Sequence, residues 1–493
     1  MTPRQGKRVG FPYLTAFRAR RLLDLSAYRL APAAVAGLMA GGHLSRAGDG
    51  LLVFAAIVLA SVLLEREQVP LHLMPLAWFI VRAAVPVVGA GIALAVLAIA
   101  GAGQSVTAMF IPIVGAWIVT AFATWSTSRF ESVRQVRLAV IGSEEIALGL
   151  DEELRTAGIS AYQVIGWLSD NPTPVERSEG GPVRLGSLDD GVREIVSRNR
   201  LDLLVHSAGP PVEDEDTPRH GRLEIFEQVA AECLDLPVRL IEASLLYEDL
   251  LGHVPLGQST SAWFQYLMHP RYRAGSPFSK RAFDIAVGSL MLVAALPLLL
   301  AFAIAIKLTD RGPIFYRQHR AGEGGAEFAM VKLRSMSVAA ETEGAQWSTA
   351  DDLRTTSVGR LMRRTHIDEL PQLWNVMLGQ MTLVGPRPER RELIAELERQ
   401  LPYYDRRHMV KPGIAGWAQA RCGYGGSEEG TSWKLCHDLF YLKHRSVYFD
   451  LLILIENFKV ALRSGVQFDV RAPQEQFILA EAPSSPEREP VRV

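Results

Sequence analysis

Apolar and polar positions divide the chain into three regimes. From residue 30 to 125, four stretches at roughly 30–45, 49–65, 78–101 and 105–125 are apolar on every face, the pattern of helices with no water-facing side. "DGLLVFAAIVLASVLLE" and "SVTAMFIPIVGAWIVTAFATW" are the clearest. The first stretch is short and rich in Ala and Gly, and the third carries Arg82 and Pro86 in its first half. An arginine there can snorkel toward the interface. The pattern predicts four transmembrane helices over 30–125, preceded by a basic segment, 1–29.

From 136 to 255 the period changes. "VRLAVIG" and "YQVIGWLSD" read as strands, "GSLDDGVREIVSRNR" as a helix, "LDLLVHSA" as a strand, "EIFEQVAAECLDL" as a helix and "PVRLIEA" as a strand. "SEEIALGLDEELRTAG" has helical spacing, with Ser143 placed to cap it and Gly158 to stop it. Alternating β and α predicts a parallel sheet with right-handed crossovers, a Rossmann-like domain. Its first turn is degenerate for nucleotide binding: Gly142 is followed by Ser143, Glu144 and Glu145, and two carboxylates there repel a pyrophosphate. "VEDEDTPRHGR" (212–222) reads as a solvated acidic loop.

The third regime opens on an apolar run from Ile285 to Ile306, bounded by Arg281 and Asp284 before and Lys307, Asp310 and Arg311 after. Its roughly 22 residues suffice to cross a bilayer, yet Pro297 lies near the centre, where a proline removes one helical hydrogen bond. Farther on, 440–463 is amphipathic, with Phe440, Tyr441, Tyr448, Phe449 and Phe458 as candidate headgroup contacts. The tail 471–493 has the composition of a disordered segment.

Composition changes this picture little. Net charge is −1 over 493 residues and argues against a nucleic-acid partner. The 48% hydrophobic content averages unlike parts. Cys233, Cys422 and Cys436 are too few for a disulfide framework and fit a reduced compartment. The first apolar run follows a basic stretch without a small-residue cleavage site, so no cleavable signal peptide is expected. Arg4, Lys7, Arg8, Arg18, Arg20, Arg21 and Arg29 precede the first span, and Arg129, Arg134 and Arg137 follow the fourth. The loop after the first span has Arg46 and "GAGQ" has no charge. The basic excess puts both ends of the block in the cytoplasm.

Candidate chemistry is concentrated after Lys280, where basic side chains, glycines and paired carboxylates alternate. Asp368 and Glu369 supply hard oxygens suited to Mg²⁺, or a nucleophile. "HIDELPQLWNVMLG" reads as a helix starting at the pair. With Asp368 as its cap, Pro371 falls in the first turn and the helix dipole favours ionised carboxylates. Arg363 and Arg364 one turn earlier, and Arg387 about one helix length later, read as a phosphate-binding cluster, arginine being the two-pronged donor for that anion.

"KRAFD", "GPIFYRQ.R.G", "F.MVKLRSM", "GR.MRRT.IDELPQLWNV", "LVGPRPE" and "VKPGIAGWAQ" follow one another from Lys280 to about Gly465. In that order they resemble the bacterial sugar transferase family, the polyprenyl-phosphate hexose-1-phosphate transferases, in the large monotopic form with four spans and a Rossmann-like domain. "ERQLPYYDRRHMVKPGIAGWAQAR" and "HDLFYLKHRSVYFDLLILIENFKVAL" look like the exosortase-associated exopolysaccharide subgroup. The resemblance implies transfer of a phosphosugar from a UDP-sugar to undecaprenyl phosphate with release of UMP, as the initiating step of exopolysaccharide, capsule or O-antigen assembly. It implies Asp368 as the attacking residue, Glu369 as the Mg²⁺ ligand and Arg387 as a phosphate ligand. Lys332 and Arg334 join the basic cluster, and Lys280, Arg281 and Pro297 mark the membrane interface.

The expected fold is thus that of a membrane protein, α plus α/β, at the bacterial inner membrane, with room for a homo-oligomer. The catalytic domain spans 275–470 and faces the cytoplasm. Nucleotide sugars are made on that side, so 284–307 is expected to be a re-entrant helix turning at Leu296–Pro297, since a fifth crossing would strand the carboxylates. The rival readings are a membrane-bound nucleotide-sugar dehydratase or epimerase, and a non-catalytic scaffold of a polysaccharide export complex. The first needs an intact glycine-rich turn and a Tyr-x-x-x-Lys pair, both missing from 136–255; the second has no use for the carboxylate pair.

Overall fold

The computed structural model describes residues 33–36, 38, 52–58, 74–99, 113–119, 135–169, 181–207, 220–256, 277–337, 354–401, 403–422 and 428–462. The basic segment 1–29, the tail 471–493, all but the end of the acidic loop, and much of the four apolar stretches lie outside these residues. The chain divides into two compact units, Met1–Leu246 and Tyr247–Val493.

In the first unit the described parts of all four apolar stretches are helical, and the third forms α1, Pro75–Ile99. Small residues dominate their shared core: Ala33, Ala36, Ala56, Ala90, Ala93 and Ala116 pack with Val53, Ile57 and Val85. A Cβ on Gly89 would sit 2.6 Å from Ile57 Cγ1, so glycine sets how closely these helices approach. Val87, Val88, Val96 and Ile118 are exposed outward.

The α/β block has the predicted architecture. Strands β1 (Val136–Ile141), β2 (Tyr162–Leu168), β3 (Val183–Gly186), β4 (Leu203–His206) and β5 (Arg239–Glu242) form one sheet in the order β3-β2-β1-β4-β5, every pair parallel. Helices α2 (Glu144–Thr156), α3 (Val192–Asn199) and α4 (His220–Cys233) alternate with the strands. Strand β3 escapes the sequence pattern because it is a four-residue edge strand with no buried side chain. Ser143 stands at the N-cap of α2 but makes no side-chain capping bond. Gly142 has φ +150°, and a Cβ there would press on Ser207 Cβ at 2.9 Å. Its glycine therefore serves the close approach of the β1 and β4 ends. The next helix, α5 (Ala243–Leu251), crosses the division between the units.

The second unit takes in Tyr247–Leu256, well before residue 275. Glu248 accepts two bonds from Lys443 Nζ, at 2.8 and 2.7 Å, and Gly252 accepts one from Trp417 Nε1 at 2.7 Å. Helix α6 (Pro277–Asp310) is followed by an antiparallel hairpin of β6 (Phe315–Ala321) and β7 (Glu327–Leu333). Next come α7 (Ser357–Thr365), a 3₁₀ turn over Ile367–Glu369, and the short α8 (Gln372–Met377). Strands β8 (Thr382–Val384) and β9 (Gly413–Ala415) pair in parallel. Around them lie α9 (Arg391–Gln400), α10 (Trp417–Cys422), α11 (Glu428–His444) and α12 (Val447–Leu462).

Helix α6 differs from the expectation. It runs unbroken through Pro297, where a turn at Leu296–Pro297 was expected. The 34 residues reach about 51 Å at the α-helical rise. Val293 and Pro297 both lie on the exposed side, so the hydrogen bond proline removes is lost there and not against the packed face. That packed face is a stripe. Asp284 accepts from Thr382 Oγ1 at 2.7 Å and from Leu383 N at 3.1 Å. Gly288 lies against Val376 and Met377. Leu299, Phe302 and Ile306 pack with Leu333 and Met362. The rest of the helix is apolar and exposed, with Leu290 at 72%, Val293 at 64% and Leu300 at 64%. Among the described residues this is the helix long and apolar enough to cross a membrane, Phe278–Thr309.

The 440–463 stretch is also corrected. Phe440, Tyr441 and Phe449 belong to the core and Tyr448 is half-buried, while Phe458 is 64% exposed. Tyr441 donates to Val384 O and to Asp450 Oδ1, each at 2.8 Å. Lys280 Nζ joins the same cluster, 2.6 Å from Asp450 Oδ2 and 3.3 Å from Asp284 Oδ1. Replacing it by an apolar side chain strips two buried carboxylates of their cation. Lys280→Met is expected to destabilise the second unit by about 3 kcal/mol, measured by denaturation of the purified protein in detergent.

Candidate active site

The site is built where α7, α8 and β7 meet the loop after β8. Thr356 caps α7, its hydroxyl accepting from Gly359 N at 2.9 Å. Gly359 has no room for a side chain against the Ser335 backbone, which brings α7 onto the end of the hairpin. The helix stops at His366, whose φ of 55° is left-handed. The chain then re-forms as a 3₁₀ turn, and that turn carries Asp368 and Glu369. Pro371, not Asp368, takes the N-cap position of α8. The pair therefore lies inside a continuous tight helical stretch, and both side chains are buried, each residue 7% exposed.

The two carboxylates have opposite surroundings. Glu369 is clamped: Arg387 Nη2 donates to Oε1 at 2.6 Å, Arg387 Nη1 to Oε2 at 3.2 Å, and Lys332 Nζ to Oε1 at 2.9 Å. Burial pushes this carboxyl up, but Arg387 and Lys332 together outweigh burial and hold it well below the ordinary range. Asp368 has no hydrogen-bonded partner among the described residues. Burial pushes it up, and the Glu369 charge adds to that, with Lys332, Arg363 and His366 opposing. The expected dipole-stabilised Asp368 is thus replaced by a desolvated one, because the turn that holds it is buried.

Arg387 is held by its own loop. Pro386 and Pro388 flank it and restrict its backbone. Gly385 N donates to Ala415 O and Gly413 N to Pro386 O, each at 2.9 Å. Arg407 Nη2 donates to Arg387 O at 3.0 Å while the same guanidinium grips Asp438 Oδ2 at 2.8 and 3.1 Å and Tyr404 Oη at 2.6 Å. Burial carries Tyr404 up to about 12 against the opposing charge of Arg407. Arg320 Nη1 donates to Pro388 O at 3.1 Å, and its burial brings the guanidinium down to about 10. Lys332 is brought to Glu369 by Asn375, which pairs with the edge of β7: Val331 N donates to Oδ1 at 3.1 Å and Nδ2 to Ala329 O at 2.8 Å.

Of the residues expected at the site, Asp368, Glu369, Arg387 and Lys332 are brought together. Arg364 is exposed and has no polar contact with the pair among the described residues; its neighbour Arg363 faces Asp368, tied to Ser335 Oγ at 3.1 Å. The Arg334 guanidinium lies against Gly312, where it leaves no room for a Cβ. Lys280 and Arg281 turn inward. Arg281 donates to Val376 O at 2.6 Å and Met377 O at 2.7 Å, capping the C-terminus of α8. Sequence reasoning missed Arg407, Asp438 and Tyr404. The first and last stand in "YYDRR", a string it quoted, but nothing local pairs them with Asp438.

Among the described residues, no group of three or more His, Cys, Asp or Glu is arranged to hold a metal ion. A closed protein cage for Mg²⁺ is therefore not formed by them. Glu369 accepts three hydrogen bonds and a carboxylate has about four lone-pair sites, so one remains. That fits Mg²⁺ in its usual manner, bound by one or two carboxylates and completed by substrate phosphates.

The comparisons with known proteins agree on one class. The family described as bacterial sugar transferase matches residues 275–464. The chain is 36% identical over 237 residues to an Aeromonas hydrophila UDP-N-acetylgalactosamine-undecaprenyl-phosphate N-acetylgalactosaminephosphotransferase, covering 48% of this chain and 55% of that one. It is 38% identical to a Caulobacter vibrioides UDP-glucose:undecaprenyl-phosphate glucose-1-phosphate transferase, covering 46% of this chain and 86% of the relative. It is 35% identical to an exopolysaccharide production protein of Rhizobium leguminosarum, covering 38% of this chain and 98% of the relative. The chain thus spans little more than half the length of the Aeromonas relative.

Opposite effects on stability are expected at the two carboxylates. Ionised Asp368, with its raised pKa, costs stability at neutral pH, and the cost vanishes below the unfolded value near 3.8. Asp368→Asn should melt above the wild type at pH 8 and lose that advantage by about pH 4. Glu369 contributes stability above its unfolded value near 4.5, lost as pH falls through its depressed folded pKa. Glu369→Gln should cost about 3 kcal/mol at neutral pH. Thermal melts across pH read both.

Proposed function

The chain belongs to the bacterial sugar transferase family, and on that premise we propose that it moves a hexose-1-phosphate from a UDP-sugar to undecaprenyl phosphate, releasing UMP. The product would begin a surface or secreted polysaccharide. The carrying observation is the contrast within the buried pair: among the described residues Glu369 holds two cations and Asp368 holds none. A carboxylate without donors, desolvated and facing positive charge, is suited to attack phosphorus. The names of the relatives divide between N-acetylgalactosamine and glucose, so hexose is the level at which the donor is assigned.

The reaction takes two displacements. Asp368 attacks the β-phosphorus of the UDP-sugar, an aspartyl–phosphorus bond forms, and the bond to UMP breaks with its electron pair leaving on UMP. The undecaprenyl phosphate oxygen then attacks that phosphorus and releases Asp368, giving a lipid diphosphate sugar. Arg387 and Lys332 sit where they can neutralise the spreading charge, which together with alignment is what phosphoryl transfer asks of a protein. Glu369 would hold Mg²⁺, which would supply Lewis-acid charge neutralisation there.

For the membrane we propose four spans within 30–125 and an α6 that stays in one leaflet, leaving the carboxylates on the cytoplasmic side of the inner membrane. Both halves of α6 pack on the same unit, Asp284 and Gly288 at one end and Leu299 to Ile306 at the other. A helix so held lies along its domain with an apolar outer face, and that geometry supports embedding without crossing.

Three tests follow. Asp368→Ala should lower transfer at least about 10³-fold with normal membrane insertion, and donor labelled in the β-phosphate should label the wild-type protein but not this variant. Activity should fall on acidification from a pH above 3.8, the ordinary aspartate value, because burial raises Asp368. Cysteine at the exposed Thr309 should resist an impermeant thiol reagent in intact cells and react after permeabilisation; labelling from outside would refute the cytoplasmic placement.

A further inference from the structure

One buried polar group at the site has no use in the resting protein. Gln372 is 2% exposed, and its Nε2 has no hydrogen-bond partner among the described residues. An unmade buried donor costs about 1–3 kcal/mol, and native proteins keep few of them. Its position follows from the backbone. Glu369 N donates to His366 O, Leu370 N to Ile367 O, Leu373 N to Leu370 O and Trp374 N to Pro371 O. Such i to i−3 bonding gives three residues per turn. Glu369 and Gln372 are thus one turn apart, Asn375 follows at i+3 in α8 on roughly the same face, and both ends of this row face β7: Glu369 meets Lys332, and Asn375 meets Val331 and Ala329.

Within this row the same chemical group has two fates. The Asn375 carboxamide is fully engaged, with its oxygen accepting from Val331 and its nitrogen donating to Ala329 and Gln380. The Gln372 carboxamide, one turn closer to the carboxylates, is idle. Meanwhile Glu369 occupies Arg387 and Lys332, the cations that an arriving diphosphate would claim. When the diphosphate takes them, a buried carboxylate loses its partners.

We propose that Gln372 is a positioning residue that receives Glu369 when the donor's diphosphate displaces it from Arg387 and Lys332. The resting clamp is then an internal stand-in for the substrate anion, and binding is an exchange of one anion for another. A neutral amide suits the receiving role because it donates a hydrogen bond without drawing the phosphates as a third cation would. The inference rests on the diphosphate-binding reading above and adds the residue that lets the site open.

The test uses the full chain in detergent, with UDP as the diphosphate probe and no metal required. Gln372→Met keeps the volume and removes the donor. Its Tm without ligand should equal or exceed that of the wild type, since it deletes no bond. Its affinity for UDP by calorimetry should fall about tenfold, the equivalent of about 1.4 kcal/mol. In a Glu369→Gln background the same change should alter UDP affinity less than twofold, because the group to be received is gone. A lower Tm for Gln372→Met, UDP binding within twofold of wild type, or an undiminished loss in the Glu369→Gln background would each overturn the exchange. A wild-type protein that does not bind UDP would instead refute the functional reading beneath it.

Discussion

A carboxylate buried in a protein stays ionised only where positive charge has been assembled around it, and at Glu369 that assembly organises the catalytic unit. Arg387 comes from the proline-flanked loop after β8 and Lys332 from β7, and neither is near Glu369 in sequence. To deliver them, the β8–β9 pair fixes the loop from behind. Arg407 and Asp438 brace the Arg387 carbonyl, and Asn375 pins α8 to the strand edge. Each support is itself buried and satisfied, so displacing one disturbs the next. Positive charge invested in Glu369 is only partly available to Asp368, which explains how adjacent carboxylates on one turn acquire opposite character.

Helix α6 is coupled to this assembly by short polar links. Arg281 caps α8, the helix that follows the carboxylates, and Asp284 binds the first residues of β8, the strand that leads to Arg387. Lys280 ties Asp284 to Asp450 on α12. The apolar outer face of α6 and the charged interior of the site are thus two sides of one packed element. In the proposed reaction this matters because the acceptor phosphate is anchored in lipid while the donor is dissolved in water. With α6 embedded as proposed, a site built on its inner side would lie within reach of both.

Much of this was legible in the chain. Periodicity separated the apolar stretches from the α/β block and placed the strands that were long and buried, but a four-residue edge strand with no buried side chain left no trace. The acidic turn after Gly142 read as a poor pyrophosphate cradle; what the structure adds is that this glycine makes room for Ser207. The motifs after Lys280 singled out Asp368, Glu369, Arg387 and Lys332. They could not separate Arg363 from Arg364, since adjacent residues on a helix point in different directions and only packing decides which one faces in. Phe440, Tyr441 and Phe449 read as interfacial because their spacing is amphipathic, yet core and bilayer offer an aromatic ring the same apolar surroundings.

By itself, then, the sequence determined the chemistry available and its order along the chain: which segments avoid water, where carboxylates, arginines and glycines cluster, and which elements alternate. Tertiary structure alone decided which cations meet Glu369, that Asp368 has no donor among the described residues, that Lys280 and Arg281 turn inward, and that α6 continues through Pro297. The reason is range. Local pattern follows from backbone period and side-chain solubility, whereas the charge state of a buried group depends on partners brought from distant segments, and those exist only once the chain has packed.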